Sequence, residues 1–440
     1  MRFGGFISPV SLTHLLIYLS FSQIFMEQLL TADGIPLKVS LKKAYRREKL
    51  SAFLLVAPLL LFIVVTFLIP IVDMLMLSVD NSIVPEILPR TTKNIQTWDP
   101  HSGELPGEEI FEAFVKDLKE AKKNRTHTRV GQRLNYESSG LSSLFRSSGR
   151  KIKRIRRAPF KAALIKIDKR WGELKTWQIL HQFSTSYTPA YYFAATDTKL
   201  KSSGEFIILP DEERIYSKLF LRTMLMSALI TGLTLLIGFP VAYLLAILPT
   251  KIGNLLIILV LLPFWTSLLV RTCSWIALLQ QHGVINDTLV SLGLLGEDER
   301  IAMIHNATGT VIAMTHILLP FMILPLYSVM KTIPKSFVRA AVSLGAHPWE
   351  AFWKVYFPNT VAGIGAGSIL VFILSIGYYI TPELVGGNTG TFISNRIAYS
   401  ISISLNWGLA AALGVILLGI VIAFYILYDR IVGIDKMRLG

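Results

Sequence analysis

Cysteine is almost missing from this chain: Cys273 is the only one among 440 residues. A single thiol cannot build a disulfide framework or a thiolate metal site. Cys273 lies in an apolar stretch, where it reads as a small buried hydrophobe. Acidic residues are scarce as well, 29 Asp and Glu against 44 Lys and Arg, for a formal charge of +15. The histidines are scattered, with no H-E-x-x-H pair and no cysteine–histidine cluster, so no metal site is expected. There is no G-x-x-x-x-G-K-S/T phosphate loop, which excludes ATP hydrolysis by that route within this chain. No catalytic constellation emerges, so the chain reads as something other than an enzyme. No stacking platform or recognition motif accompanies the basic charge, which argues against nucleic acid as a partner.

Apolar residues, by contrast, make up 52% of the chain, and only 17% are charged. That balance points to an integral membrane protein. Six runs are long enough to cross a hydrocarbon core of ~30 Å: residues 51–79, 219–248, 255–279, 302–330, 361–381 and 405–428. A basic run at 38–49 precedes the first and places that end in the cytoplasm by the positive-inside rule. Parity then puts loops 80–218, 280–301 and 382–404 outside, and loops 249–254 and 331–360 inside. The charges agree: Asp287, Glu297, Asp298 and Glu299 lie in an outer loop, and Lys331, Lys335, Arg339 and Lys354 in an inner one. Residues 1–50 are expected to be a cytoplasmic or membrane-surface extension, with a signal anchor as the alternative for 1–30. Residues 431–440 read as a cytoplasmic tail. Strong positive charge on such a protein also implies contact with membrane lipid.

Between the first two runs, residues 80–218 change character and read as an inserted domain, α or α+β. Helical periodicity is clear at 108–123 and 160–180. Residues 186–209 are expected to supply a strand or two. The Ser/Gly/Arg-rich stretch 131–150 is expected to be mobile. The run Lys151-Ile152-Lys153-Arg154-Ile155-Arg156-Arg157 reads as a solvated or membrane-facing surface.

The inner loop 331–360 has its own pattern. Pro334 suits a helix's first turn, and Phe337, Ala341 and Leu344 share one face. Gly345 can end that helix in the left-handed conformation, and Pro348 can begin another. Trp349, Phe352, Trp353 and Tyr356 give the second helix an aromatic face. Ala340, Ala341, Gly345, Val355 and Pro358 stand at the spacing of the E-A-A loop of ABC importer permeases, which this stretch resembles. Arg339 stands where that loop has its acid, and Phe357 where it has leucine. Further blocks resemble the spermidine/putrescine type: Pro263-Phe264-Trp265-Thr266-Ser267 with Arg271, Gly283-Val284-Ile285-Asn286, Leu319-Pro320-Phe321-Met322-Ile323-Leu324-Pro325, and Pro382-Glu383-Leu384-Val385-Gly386-Gly387. Tyr378 stands where an acid is expected in putrescine-type members. The resemblance covers about residues 219–430, the permease core.

The resemblance implies an all-α membrane protein with the six-helix type I permease fold, in a bacterial inner membrane; the insertion lies outside the resemblance and is placed in the periplasm by parity. It implies partners: an ABC ATPase dimer holding ATP and Mg, a second permease, and a periplasmic solute-binding protein. No cofactor would be bound by this chain. Arg339, Ala340, Ala341, Gly345, Ala346, Trp349, Val355 and Pro358 would couple it to the ATPase. Trp265, Arg271, Tyr378, Tyr379 and Glu383 would border the path of a polyamine or related solute. The plainer alternatives are an interfacial aromatic belt and an ion pair between Glu383 and Arg396. Other readings are the same scaffold carrying an amino-acid derivative, an organophosphonate or ferric iron, or a secondary transporter or membrane sensor.

Overall fold

The computed structural model describes residues 37–200 and 206–432. The extension expected at 1–30 and the basic tail residues Lys436 and Arg438 lie outside the described residues. A helical stretch opens the described chain, Leu37–Ile63, then a π turn Val64–Leu68, then Ile69–Met76. Within it, Glu48–Met76 is long and apolar enough to cross a membrane.

The inserted domain is built almost entirely of short helices around aromatic side chains. Helix Glu108–Lys123 coincides with the expected periodicity, and it buries Ile110, Phe111, Phe114, Val115 and Leu118. Acids in its first turn and lysines in its last complement the helix dipole. Trp171 is fully buried, with ring centroids 4.4 Å from Phe114, 5.6 Å from Phe145 and 5.7 Å from Trp177. The stretch 160–180 divides into helix Phe160–Ile167, a 3₁₀ turn Lys169–Gly172 and helix Leu174–Gln182. Strands Thr198–Leu200 and Phe206–Ile208 pair antiparallel.

The stretch 131–150 is not the mobile segment its composition suggests. It falls in helices His127–Asn135 and Leu141–Lys151, which bury Val130, Leu134, Leu144 and Phe145. Its small residues are packing positions: a Cβ on Gly131 would come within 2.7 Å of the Phe145 Cβ, and one on Gly149 within 2.3 Å of the His127 ring. The basic run that follows is also anchored. Ile152 and Ile155 are buried while Lys151, Lys153, Arg154, Arg156 and Arg157 are exposed.

This domain seats on the helices that follow. Tyr191 packs against Gly408, where an added Cβ would lie 2.3 Å from its ring. The Tyr136 hydroxyl donates to the Ser404 carbonyl at 3.0 Å. Asp197 caps helix Tyr216–Ile247, accepting from the N–H groups of Ile215, Tyr216 and Ser217 and from the Ser217 hydroxyl. Burial alone would push this carboxyl up, but those four donors hold it below its ordinary value. Its stabilisation is therefore present above the unfolded value of about 3.9 and is lost as pH falls through the lower folded value. Asp197→Asn is expected to cost about 2 kcal/mol and to flatten the acid limb of unfolding, as thermal melts of the full chain between neutral and strongly acid pH would show.

Among the described residues, five helices are long and apolar enough to span: Glu48–Met76, Tyr216–Ile247, Ala307–Thr332, Pro348–Gly377 and Trp407–Arg430. The run expected at 255–279 is not a single helix. Thr250–Trp265 and Leu268–Ser291 meet at 94°, and they make a sixth span only if taken together. The break is written in Pro263-Phe264-Trp265-Thr266-Ser267. The proline falls in a 3₁₀ turn, Thr266 is extended, and the Ser267 hydroxyl accepts from the Val270 N–H to restart the helix. Cys273, expected to be buried, is exposed on the second half. A second difference concerns the inner loop, whose expected second helix is the beginning of the long helix Pro348–Gly377. A π turn at Phe352–Tyr356 lets the helix pass Pro358. Finally, 382–404 is not an open loop but the short helices Ile380–Val385, Gly387–Gly390 and Ile393–Ser402.

Candidate functional site

Helix Lys335–Ser343 of loop 331–360 starts after Pro334 and ends in a Schellman motif. The Ala346 N–H bonds the Ala341 carbonyl and the Gly345 N–H bonds the Val342 carbonyl, with Gly345 at φ +96°. His347 then caps the next helix, its Nδ1 accepting from the Trp349 N–H at 3.3 Å. Leu344 is 89% exposed and Trp349 65%, and Phe337 and Val342 are exposed beside them. An apolar surface of this kind, on a helix pair with a fixed bend, fits a groove on another protein. Ala340 and Arg339 are exposed, and Ala341, Ala346 and Val355 are half-buried; Pro358 is exposed. Arg339 also lines a cavity with Tyr243, Lys331, Lys335 and Tyr356.

The aromatic face expected on 349–356 divides in two. Phe352 and Tyr356 turn inward, with centroids 5.7 Å and 5.2 Å from Tyr243. Trp349 and Trp353 remain exposed. The inward pair ties the loop to helix Tyr216–Ile247.

The second set of residues clusters around the broken helix. Trp265 stands at the break, 75% exposed. The Arg271 guanidinium lies 5.8 Å from the Phe264 ring centre, and its buried Nε has no hydrogen-bond partner. Nearby, Trp275 donates to His316 Nδ1 at 3.2 Å, which places His316 in a bond between helices. Thr272 and Thr381 meet at 3.2 Å and join the broken helix to Ile380–Val385. Tyr378 is half-buried and Tyr379 exposed.

Asn395 organises the remaining residues. Its amide donates to the Tyr379 carbonyl at 2.9 Å and to the Glu383 carboxylate at 2.6 Å. Glu383 and Arg396 do not form an ion pair; Arg396 lies instead over the Tyr399 ring at 4.6 Å. Glu383 is thus an exposed acid held by a neutral amide, free to meet a cation. Sequence reasoning missed Asn395, because Ser394-Asn395-Arg396 has no spacing that marks it. Gly387 has φ +51°, and a Cβ there would come within 2.2 Å of the His305 carbonyl. That contact leaves room only for glycine at 387.

The family described as binding-protein-dependent transport system inner membrane component matches residues 225–433. A spermidine/putrescine transport system permease protein PotB of Haemophilus influenzae is 34% identical over 201 residues, 46% of this chain and 70% of that one. PotB of Escherichia coli K12 is 32% identical over 214 residues, 48% of this chain and 77% of that one. The E. coli K12 inner membrane ABC transporter permease protein YdcU is 32% identical over 225 residues, 49% and 71% of the two chains. Residues 80–218 fall outside the matched family region. These relatives are transport permeases rather than enzymes, and the chain carries several membrane-length helices. The chain belongs to the ABC importer permeases, the inner-membrane components of binding-protein-dependent transport systems.

Proposed function

We propose that this chain is the permease subunit of an ATP-driven importer of polyamines such as putrescine and spermidine. It forms half of the solute path together with a second permease, with the bent helix pair counted as the sixth span. The observation that carries the substrate class is the identity to two PotB permeases over 70% and 77% of their lengths. Glu383, exposed and unpaired with a cation, supports the reading from the site itself. The exposed helix pair around Gly345 docks on an ATPase dimer that holds ATP and Mg. Its movement passes through Phe352 and Tyr356 to the spans. The N-terminus lies in the cytoplasm, and the insertion faces a periplasmic binding protein that delivers the solute.

The test is uptake of labelled putrescine and spermidine by membrane vesicles carrying the permease with its ATPase, second permease and binding protein. ATP-dependent accumulation of either amine supports the proposal. No accumulation, with ATPase activity still responsive to the binding protein, would discard the polyamine and keep the importer.

One observation favours a second reading, import of an anionic solute: Arg271 is a guanidinium without an acid partner beside the path. Arg271→Gln separates the two. Polyamine uptake is expected to stay within about threefold of wild type, because the lost charge repels the solute at a distance over which water screens it. Anion uptake would fall by a factor on the order of one hundred, from loss of a charge-assisted contact.

A further inference from the structure

A cavity of about 450 Å³ opens where helix Tyr216–Ile247 begins, between that helix and residues 383–399. Its charged walls are Arg214, Lys218, Arg222, Arg396 and the single acid Glu383. Arg214 is already paired with Asp211 at 2.6 Å. Arg222 gives one N–H to the Asn388 carbonyl, and Lys218 gives one to the Asp211 carbonyl. Arg396 gives none: its guanidinium rests on tyrosine rings, and its buried Nε has no partner. Glu383 brings one negative charge against these cations but pairs with none of them; its carboxylate accepts from the neutral Asn395 amide. Three cations therefore share one cavity, and among the described residues no carboxylate is paired to any of them.

The level of this cavity in the membrane narrows the choice of ligand. The helix has 32 residues, about 48 Å at ~1.5 Å per residue, against a hydrocarbon core of ~30 Å. Its first turns therefore reach the headgroup layer. Leu221, Leu225 and Leu229 are exposed at four-residue intervals on the same helix, an apolar stripe that begins beside Lys218 and Arg222. Cations above an exposed leucine stripe match a phosphate above an acyl chain. Guanidinium groups present the planar donors that phosphate oxygens accept.

We propose that Lys218, Arg222 and Arg396 form a binding site for the phosphate headgroup of an anionic phospholipid. The lipid completes the donors of Arg396 and pins the start of the second span to the short helices after the fifth. Such a site goes beyond the transport reading and requires only that the chain spans a membrane.

The test uses the purified full chain in detergent, titrated with phosphatidylglycerol or with phosphatidylcholine of the same acyl chains, and with inorganic phosphate. Bound lipid is counted by native mass spectrometry. Phosphatidylglycerol is expected to be retained at least about tenfold more tightly than phosphatidylcholine, and each charge removed should weaken it roughly fivefold. Lys218→Gln with Arg222→Gln changes no buried side chain, so folding is preserved, and Arg396→Lys keeps the charge while losing the planar donors. Both variants should bind less phosphatidylglycerol, while Lys166→Gln with Lys169→Gln, the same loss of two charges at exposed positions elsewhere, should not change it. Equal retention of the two lipids, or variants that bind like wild type, would overturn the proposal. Displacement of the lipid by inorganic phosphate at equal concentration would assign the cavity to soluble phosphate and overturn it as well.

Discussion

Replacing Gly345 with valine or aspartate is expected to reduce ATP-driven uptake to background while leaving the permease assembled in the membrane. The backbone at Gly345 has φ +96°, a region that costs an L-residue roughly 1–2 kcal/mol and a β-branched residue more. The two Schellman bonds at this bend set the angle between helix Lys335–Ser343 and the start of helix Pro348–Gly377. If the bend opens, Leu344 and Trp349 no longer present one surface to a partner. Gly345→Ala separates strain from steric blocking. No atom lies within 4 Å of an added Cβ, so alanine meets only the strain and should lose a few-fold in rate. Asparagine, which tolerates the left-handed conformation, should lose less. ATP hydrolysis and solute uptake measured on the same vesicles would check this. Wild-type coupling in Gly345→Val would sink the assignment of this bend to the ATPase contact.

Trp171→Ala is expected to give the largest loss of stability of any single substitution in the insertion, about 3–5 kcal/mol. The side chain is fully buried against three other aromatic rings. It is also part of a hydrogen-bonded chain: its indole N–H donates to Ser148 at 2.8 Å, and its carbonyl accepts the Trp177 indole at 2.9 Å. Alanine leaves a cavity the size of an indole and an unsatisfied Ser148 hydroxyl in the core. Limited proteolysis of the full chain should show cleavage confined at first to 80–218, with the spanning helices protected. Trp171→Phe restores most of the packing without the N–H, so it should recover more than half of the loss. Uniform destabilisation of the whole chain would show that the insertion and the spans unfold as one unit.

These two sites differ in how much of them could be read without coordinates. The bend at Gly345 was legible because its determinants are local. A proline before the helix, a glycine at its end and another proline three residues on each act through their own backbone. The helix at 108–123 was legible for the same reason, since its apolar period is a property of the segment alone. The stretch 131–150 was not. Serine and glycine read as a flexible composition, yet Gly131 and Gly149 are small because Phe145 and His127 occupy the space beside them. Chain position gives no sign of such a contact.

The candidate solute site shows the same division. The candidate path residues Trp265, Arg271, Tyr378, Tyr379 and Glu383 could be named from the chain, but their pairing could not. Glu383 and Arg396 look like an ion pair in sequence; in the fold Asn395 takes the acid and the tyrosine rings take the base. The broken third span is intermediate. Its proline and its serine cap are visible in Pro263-Phe264-Trp265-Thr266-Ser267, but hydropathy averaged over the run hides a bend of 94°.

By itself, the sequence determined that this is a membrane protein, where most of its spans lie, which loop resembles the E-A-A pattern and to which transporters it is similar. Each of those follows from composition, from hydrophobic length or from residues adjacent in the chain. Tertiary structure alone decided that the insertion is a packed aromatic domain seated on the spans through Tyr191 and Asp197. It also decided that the third span is bent and that Lys218, Arg222 and Arg396 meet in one cavity. The physical reason is distance along the chain: 174 residues separate Arg222 from Arg396 (396 − 222), and only the fold brings such charges together.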